Sequence, residues 1–159
     1  MGAGKTSVGR ALADLLQWEF VDLDDRIVAR AGRSIADIFH QEGEPAFRRL
    51  ESEELATLLA ETETSRIVAL GGGAFAQSAN RELLRRHQVV FLDAPADDLF
   101  RRCSISEIAR PLRQDRNQFR QLYEARRSAY MEAGTRVDTQ DKTVAQVAAE
   151  VAARLELEG

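Results

Sequence analysis

The chain has one cysteine, one tryptophan, three prolines and only two lysines. A lone cysteine, Cys103, excludes an internal disulfide framework and a cysteine-based zinc cage. No apolar run approaches the roughly 20 residues needed to cross a bilayer. The N-terminus has no apolar signal segment, so a cytoplasmic location is expected. Neither sign of charge dominates. With 22 basic and 26 acidic residues the formal net charge is −4, which gives no pull toward nucleic acid or an anionic membrane. Internal repeats, low-complexity tracts and linkers are absent as well.

What is present suits one cored domain. A length of 159 residues, 44% hydrophobic and 30% charged, fits a single unit that buries roughly 70% of its unfolded surface. Arginine supplies 20 of the 22 basic residues. Codon usage accounts for that bias, but it makes Lys5, set in a glycine-rich turn, conspicuous.

The apolar periodicity alternates between helix and strand. Residues 5–17 read as a helix with Val8, Leu12, Leu15 and Leu16 on one stripe. Residues 18–22 read as a short strand ending in acid. Helices follow near 24–31 and 34–41, the second with Ser34 placed to cap it. A longer helix covers 44–62, with Pro45 in its first turn. Residues 66–70 (RIVAL) form a buried strand that runs into Gly71-Gly72-Gly73. A helix at 79–87 precedes a strand at 88–93. A helix near 96–103, a polar stretch at 104–115, a helix at 116–132, a strand at 136–138 and a helix at 143–156 complete the chain. This alternation implies an α/β fold with a parallel sheet covered on both faces.

Four features carry chemistry. Gly2-Ala3-Gly4-Lys5-Thr6-Ser7 opens a helix, so backbone N–H groups and a helix N-terminus converge where phosphate would sit. Lys5 can reach terminal phosphates and the Thr6 hydroxyl can ligate Mg²⁺. Only the second half of the phosphate-loop pattern G-x-x-x-x-G-K-[ST] is present, and an ordinary helix after a glycine-rich tail would look the same. Asp22-Leu23-Asp24 follows a strand, where ligand crevices form; a strand-end cap would show the same residues. The triple glycine permits close backbone approach to a ligand, or is simply a loop. Arg48, Arg110 and Arg126 can bind anionic groups bidentately, although most arginines among 20 lie on solvated surface.

Taken together these motifs resemble the shikimate kinase family. Gly2-Ala3-Gly4-Lys5-Thr6 is similar to the end of its phosphate loop, and Asp22-Leu23-Asp24 to its D-x-D. The stretch from Ser34-Ile35 to Phe39, with Glu42-Gly43-Glu44-Pro45-Ala46-Phe47-Arg48, resembles its S-I-x-x-I-F…E-G-E-x-x-F-R signature, the most specific part. Gly71-Gly72-Gly73 matches its triple glycine, Arg110-Pro111-Leu112 its lid motif, and Arg126 with Tyr130 its R-x-P-L-Y.

The resemblance implies a single phosphate-loop kinase domain over 1–159, of the nucleoside-monophosphate-kinase type. Residues 24–62 would be its substrate-binding helical region and 104–115 its lid. It implies transfer of the ATP γ-phosphoryl group to the 3-hydroxyl of shikimate, in the route to chorismate and the aromatic amino acids, by a cytoplasmic monomer. Lys5, Asp24 and Arg110 would be catalytic. Gly2, Ala3, Gly4, Lys5, Thr6, Ser7, Arg102 and Arg110 would bind ATP. Asp24, Arg48, Gly71, Gly72, Gly73 and Arg126 would bind shikimate, and Thr6 with Asp22 would hold Mg²⁺.

Three departures accompany the resemblance. Ser128-Ala129 replaces the usual Pro-Leu after Arg126. Arg113 stands where the lid has a second leucine. The first strand of the fold, at the centre of the expected 2-3-1-4-5 order, has no counterpart in 1–159, so strands 66–70 and 88–93 are expected to show unpaired apolar edges. A kinase for another polyol acid such as gluconate, and a noncatalytic relative that keeps the fold, are the alternatives.

Overall fold

The computed structural model describes residues 4–61, 63–96, 98–99 and 116–159. Seven helices and four strands stand among them: α1 (Lys5–Leu16), β1 (Glu19–Asp22), α2 (Leu23–Ala31), α3 (Ile35–Glu42), α4 (Glu44–Ala60), β2 (Arg66–Ala69), α5 (Ser78–Leu83) with a 3₁₀ turn at Leu84–Arg86, β3 (Val90–Asp93), α6 (Arg116–Tyr130), β4 (Thr135–Asp138) and α7 (Val144–Arg154). Boundaries match the periodicity to within a few residues. The segment read as helix at 79–87 breaks after Leu83 into the 3₁₀ turn.

Local signals set these elements. The Ser34 hydroxyl accepts from the Asp37 N–H at 3.1 Å and starts α3, a cap worth about 1 kcal/mol. Gly32 ends α2 at φ 68°, where a left-handed residue closes the helix without a Cβ penalty. Pro45 lies in the first turn of α4, where its missing N–H costs nothing. Thr143 and Gln146 cap each other at the start of α7, a reciprocal box that the sequence reading passed over.

The strands form two parallel pairs. β1 pairs with β2 in the register Glu19↔Arg66 to Asp22↔Ala69. β3 pairs with β4 from Val90↔Thr135 to Asp93↔Asp138. Each pair joins strands expected to be neighbours, while the order across the two pairs is set by no pairing among the described residues. Among the described residues no pairing joins β2 to β3. A cavity of about 610 Å³ lies there instead, flanked by residues 65–72 on one side and 86–92 on the other.

Strand alternation divides the core in two. Leu23, Ile27, Ile38, Phe47, Leu55, Leu58, Phe119 and Tyr130 pack together with Val68 and Phe91 on one face. Val8, Leu12, Leu16, Val147 and Val151 pack with Ile67 and Val90 on the other. Leu55 and Leu58 are essentially inaccessible, each contributing about 1.5–3 kcal/mol by burial. The helix expected near 96–103 lies largely outside the described residues, as does the 104–115 stretch.

Candidate functional site

The start of α1 sits beside the C-terminal end of β1. Gly4 adopts φ 79° and no side chain caps the helix, so its first N–H groups remain available to an anion. The Thr6 hydroxyl donates to Asp22 Oδ2 at 3.2 Å. Asp22 also caps α2, its Oδ1 accepting from the Asp24 N–H at 2.9 Å. One short turn therefore holds Thr6, Asp22 and Asp24 together, and the carboxylates diverge because Asp22 belongs to the strand end and Asp24 to the helix.

Thr6 and Asp22 offer only oxygen donors. That set fits Mg²⁺, which takes one or two protein oxygens and completes its shell with water and phosphate. No cluster of three or more His, Cys, Asp or Glu able to hold a metal occurs among the described residues.

On the far side of Asp24 lies the glycine turn after β2. A Cβ placed on Gly71 would lie 3.0 Å from Asp24 Oδ1 and 3.3 Å from Glu51 Oε2. A Cβ on Gly73 would collide with the Arg48 guanidinium. A side chain at position 73 would therefore require the Arg48 guanidinium to move from its present place.

Arg48 is held from its own helix. It donates to Glu51 Oε1 at 2.8 Å and to Glu44 Oε1 at 3.2 Å. Burial lowers its pKa, but Glu51 and Glu44 outweigh that and hold it above the ordinary arginine value. Glu51 is fully buried, and its Oε2 accepts no hydrogen bond. Burial pushes its carboxyl up, against the pull of Arg48.

Arg126, on α6, comes close enough to Arg48 to repel it. Burial lowers the Arg126 pKa and the Arg48 charge lowers it further, while Tyr130 opposes the shift. The Tyr130 hydroxyl donates to the Gly72 carbonyl, which ties α6 to the glycine turn. Tyr123 donates to Asp93 Oδ1 at 2.8 Å and Arg127 to Oδ2 at 3.3 Å, fixing α6 to β3. Guanidinium groups placed this way are chemically able to bind a carboxylate bidentately.

The structure brings together Lys5, Thr6, Asp22, Asp24, Arg48, Gly71, Gly72, Gly73 and Arg126 at one end of β1 and β2. Lys5, Gly71 and Gly72 also border the 610 Å³ cavity. Ser7 is exposed in the first turn of α1. Gly2, Ala3, Arg102 and Arg110, and the expected lid, lie outside the described residues. The sequence reading missed Glu51, although its spacing three residues after Arg48 on a helix is the signature of an ion pair.

Comparison with known proteins identifies the family. The family model described as shikimate kinase matches residues 1–156. A shikimate kinase of Streptomyces avermitilis is 43% identical over 89% of this chain and 82% of its own length. One from Symbiobacterium thermophilum is 41% identical over 100% of this chain and 94% of its own. Among solved structures, shikimate kinase from Acinetobacter baumannii in complex with shikimate superposes with a TM-score of 0.87 at 35% identity, covering 98% of this chain and 89% of that one. The enzyme from Aquifex aeolicus gives 0.85 at 33%, covering 98% and 92%. With the family model matching nearly the whole chain and relatives above 40% identity covering most of their own length, the chain belongs to the shikimate kinase family.

Proposed function

We propose that this chain transfers the γ-phosphoryl group of ATP to the 3-hydroxyl of shikimate, giving shikimate 3-phosphate and ADP. The observation that carries the reading is that Arg126 sits beside Arg48, whose guanidinium lies against Gly73, in the same glycine turn whose Gly71 lies against Asp24. The phosphate loop and the carboxylate receptor are then two ends of one site.

Arg48 and Arg126 bind the shikimate carboxylate, and the Gly71–Gly73 backbone meets the ring hydroxyls. Asp24 accepts the hydrogen of the reacting hydroxyl and takes its proton as the bond to phosphorus forms. Lys5, Ser7 and the N–H groups at the Gly4 start of α1 hold the phosphates, and by the family resemblance Gly2 and Ala3, outside the described residues, would join them. Thr6 and Asp22 would hold Mg²⁺, which when bound neutralises charge on the transferring phosphate. Arg110 and Arg102 lie outside the described residues; by the family resemblance Arg110, in the 104–115 stretch, would meet the transferring phosphoryl group and Arg102 would contact the adenine. Positioning and charge, more than covalent chemistry, lower the barrier to this transfer.

No helix among the described residues is long and apolar enough to cross a membrane. We place the protein in the cytoplasm as a monomer that binds neither nucleic acid nor membrane. The test is a substrate panel: with ATP and Mg²⁺, phosphorylation of shikimate is expected and phosphorylation of gluconate is not. Turnover of gluconate in preference to shikimate would overturn the assignment, and binding of both ligands without turnover would make the chain a noncatalytic relative.

A further inference from the structure

We infer that Asp93 is a positioning residue for the proposed reaction: through Tyr123 and Arg127 it seats α6 so that Arg126 stands beside Arg48. The carboxylate-binding role of Arg126 is the one proposed above, whereas the seat itself belongs to the ligand-free fold.

The sequence of α6 sets this up. Tyr123, Arg126, Arg127 and Tyr130 stand at i, i+3, i+4 and i+7, so in a helix they fall within an arc of about 100°. α6 runs unbroken from Arg116 to Tyr130, and the four side chains therefore move as one body. That body is held at two heights. Near its end, Tyr130 donates to the Gly72 carbonyl and its ring lies 5.2 Å from that of Phe91. Two turns earlier, Tyr123 donates to Asp93 Oδ1 at 2.8 Å. Arg126 lies between these two ties, hydrogen-bonded with Tyr130 and near enough to Arg48 to be repelled by it. Like charges side by side push apart. A fixed helix is what keeps the two guanidiniums together before an anion arrives.

Asp93 is built as an anchor. It ends β3, and its carbonyl accepts from the Thr139 N–H at 2.8 Å and the Thr139 hydroxyl at 3.1 Å, which locks it to the end of β4. Its side chain is buried, where a carboxylate is tolerated only when paired. Oδ2 takes Arg136 at 2.5 Å and Arg127 at 3.3 Å. Both arginines are partly exposed, whereas Tyr123 is only 3% accessible. The tyrosine bond is thus the tie that water cannot replace. Burial, followed by the bond to Asp93, holds the Tyr123 pKa above its ordinary value, so the phenol keeps the proton it donates.

Tyr123→Phe keeps the ring in the core and removes the tie. We expect the shikimate KM to rise about fivefold, with kcat and the ATP KM within about twofold of the wild type. In an Arg126→Ala background the same change should add less than about twofold, because the group it misplaces is already gone. Asp93→Asn keeps the shape, loses the charge that Tyr123 and Arg127 donate to, and should show the same split. Val147→Ala, in the opposite core, should lower the melting temperature and leave the shikimate KM alone, which separates lost stability from lost seating. An unchanged shikimate KM in Tyr123→Phe, an equal rise for both substrates, or a full rise in the Arg126→Ala background would each overturn the inference. So would a split seen in Tyr123→Phe and absent from Asp93→Asn. The seat is also read without substrate: hydrogen exchange at the amides of residues 124–130 should quicken about tenfold in ligand-free Tyr123→Phe. Unchanged exchange would overturn the inference, whereas a wild type that neither bound nor phosphorylated shikimate would sink the proposed function and leave the exchange result to decide the seat.

Discussion

Arg48 donates to Glu51 Oε1 at 2.8 Å, while Oε2 of the same buried carboxylate accepts no hydrogen bond. Glu51 thus orients the guanidinium from behind and leaves its outer edge to a ligand. Burial holds the Glu51 carboxyl above its ordinary value of 4.5, so it gains a proton earlier than a surface glutamate as the pH falls. Protonation releases Arg48 from its orienting charge. The expected outcome is a shikimate KM that climbs as the medium becomes acidic, with kcat less affected. Glu51→Gln should show the raised KM at neutral pH and lose that part of the pH dependence. Steady-state kinetics across pH for both proteins checks this, and identical profiles would separate Glu51 from the site.

A side chain at position 73 competes directly with Arg48 for space. Gly73→Ala should displace the guanidinium and raise the shikimate KM about tenfold or more, the cost expected when a desolvated charge pair loses its geometry. The ATP KM should change little. Equal loss for both substrates would indicate damage to the fold instead.

Asp22 and Asp24 share a turn through the 2.9 Å cap bond but face different ligands in the proposed reaction. Asp24→Asn keeps the shape and removes the proton acceptor, so turnover should fall about 10²-fold or more. The Asp22→Asn defect should be partly relieved by raised Mg²⁺. Magnesium titrations of the two variants decide it: relief of Asp24→Asn and not of Asp22→Asn would exchange the roles.

Away from the site, Glu61 accepts from Arg26 and Arg66 at 2.6–3.0 Å. The Arg26 bonds, followed by those from Arg66, bring its pKa from 4.5 to about 2. A lowered carboxyl stabilises the folded state above its unfolded value, and that contribution is lost as the pH falls from about 4.5 toward about 2. Because Glu61 is exposed, solvent screening keeps the effect small. Urea melts of the wild type and Glu61→Gln should differ at neutral pH and converge in acid. A gap that widened in acid would contradict the assignment.

Much of the fold was legible because helix and strand periods differ and local caps mark the ends. The Ser34 cap, Pro45 in the first turn of α4 and the acid-ended strand at Asp22 placed their elements to within a few residues. The site was legible where a motif carries its own geometry, as in Gly4-Lys5-Thr6. Arg48 and Arg126 are 78 positions apart, and periodicity cannot bring them together; the family resemblance did. Glu51 stayed hidden because a glutamate on a helix three residues from an arginine resembles any surface pair. Its importance comes from burial, which depends on Asp24, Gly71 and α4 meeting in three dimensions. Tyr130 reaching the Gly72 carbonyl across 58 positions is likewise a product of tertiary packing.

The most direct test of the central claim is a calorimetric titration of shikimate and of its methyl ester into the wild type, Arg48→Ala and Arg126→Ala. The ester keeps the ring hydroxyls and lacks the charge that the two arginines are proposed to bind. The account predicts that the wild type prefers the acid by about tenfold or more, in line with the cost of an unpaired desolvated charge, and that each variant loses most of that preference while binding the ester nearly as the wild type does. A preference for the acid that survives in both variants would contradict the account.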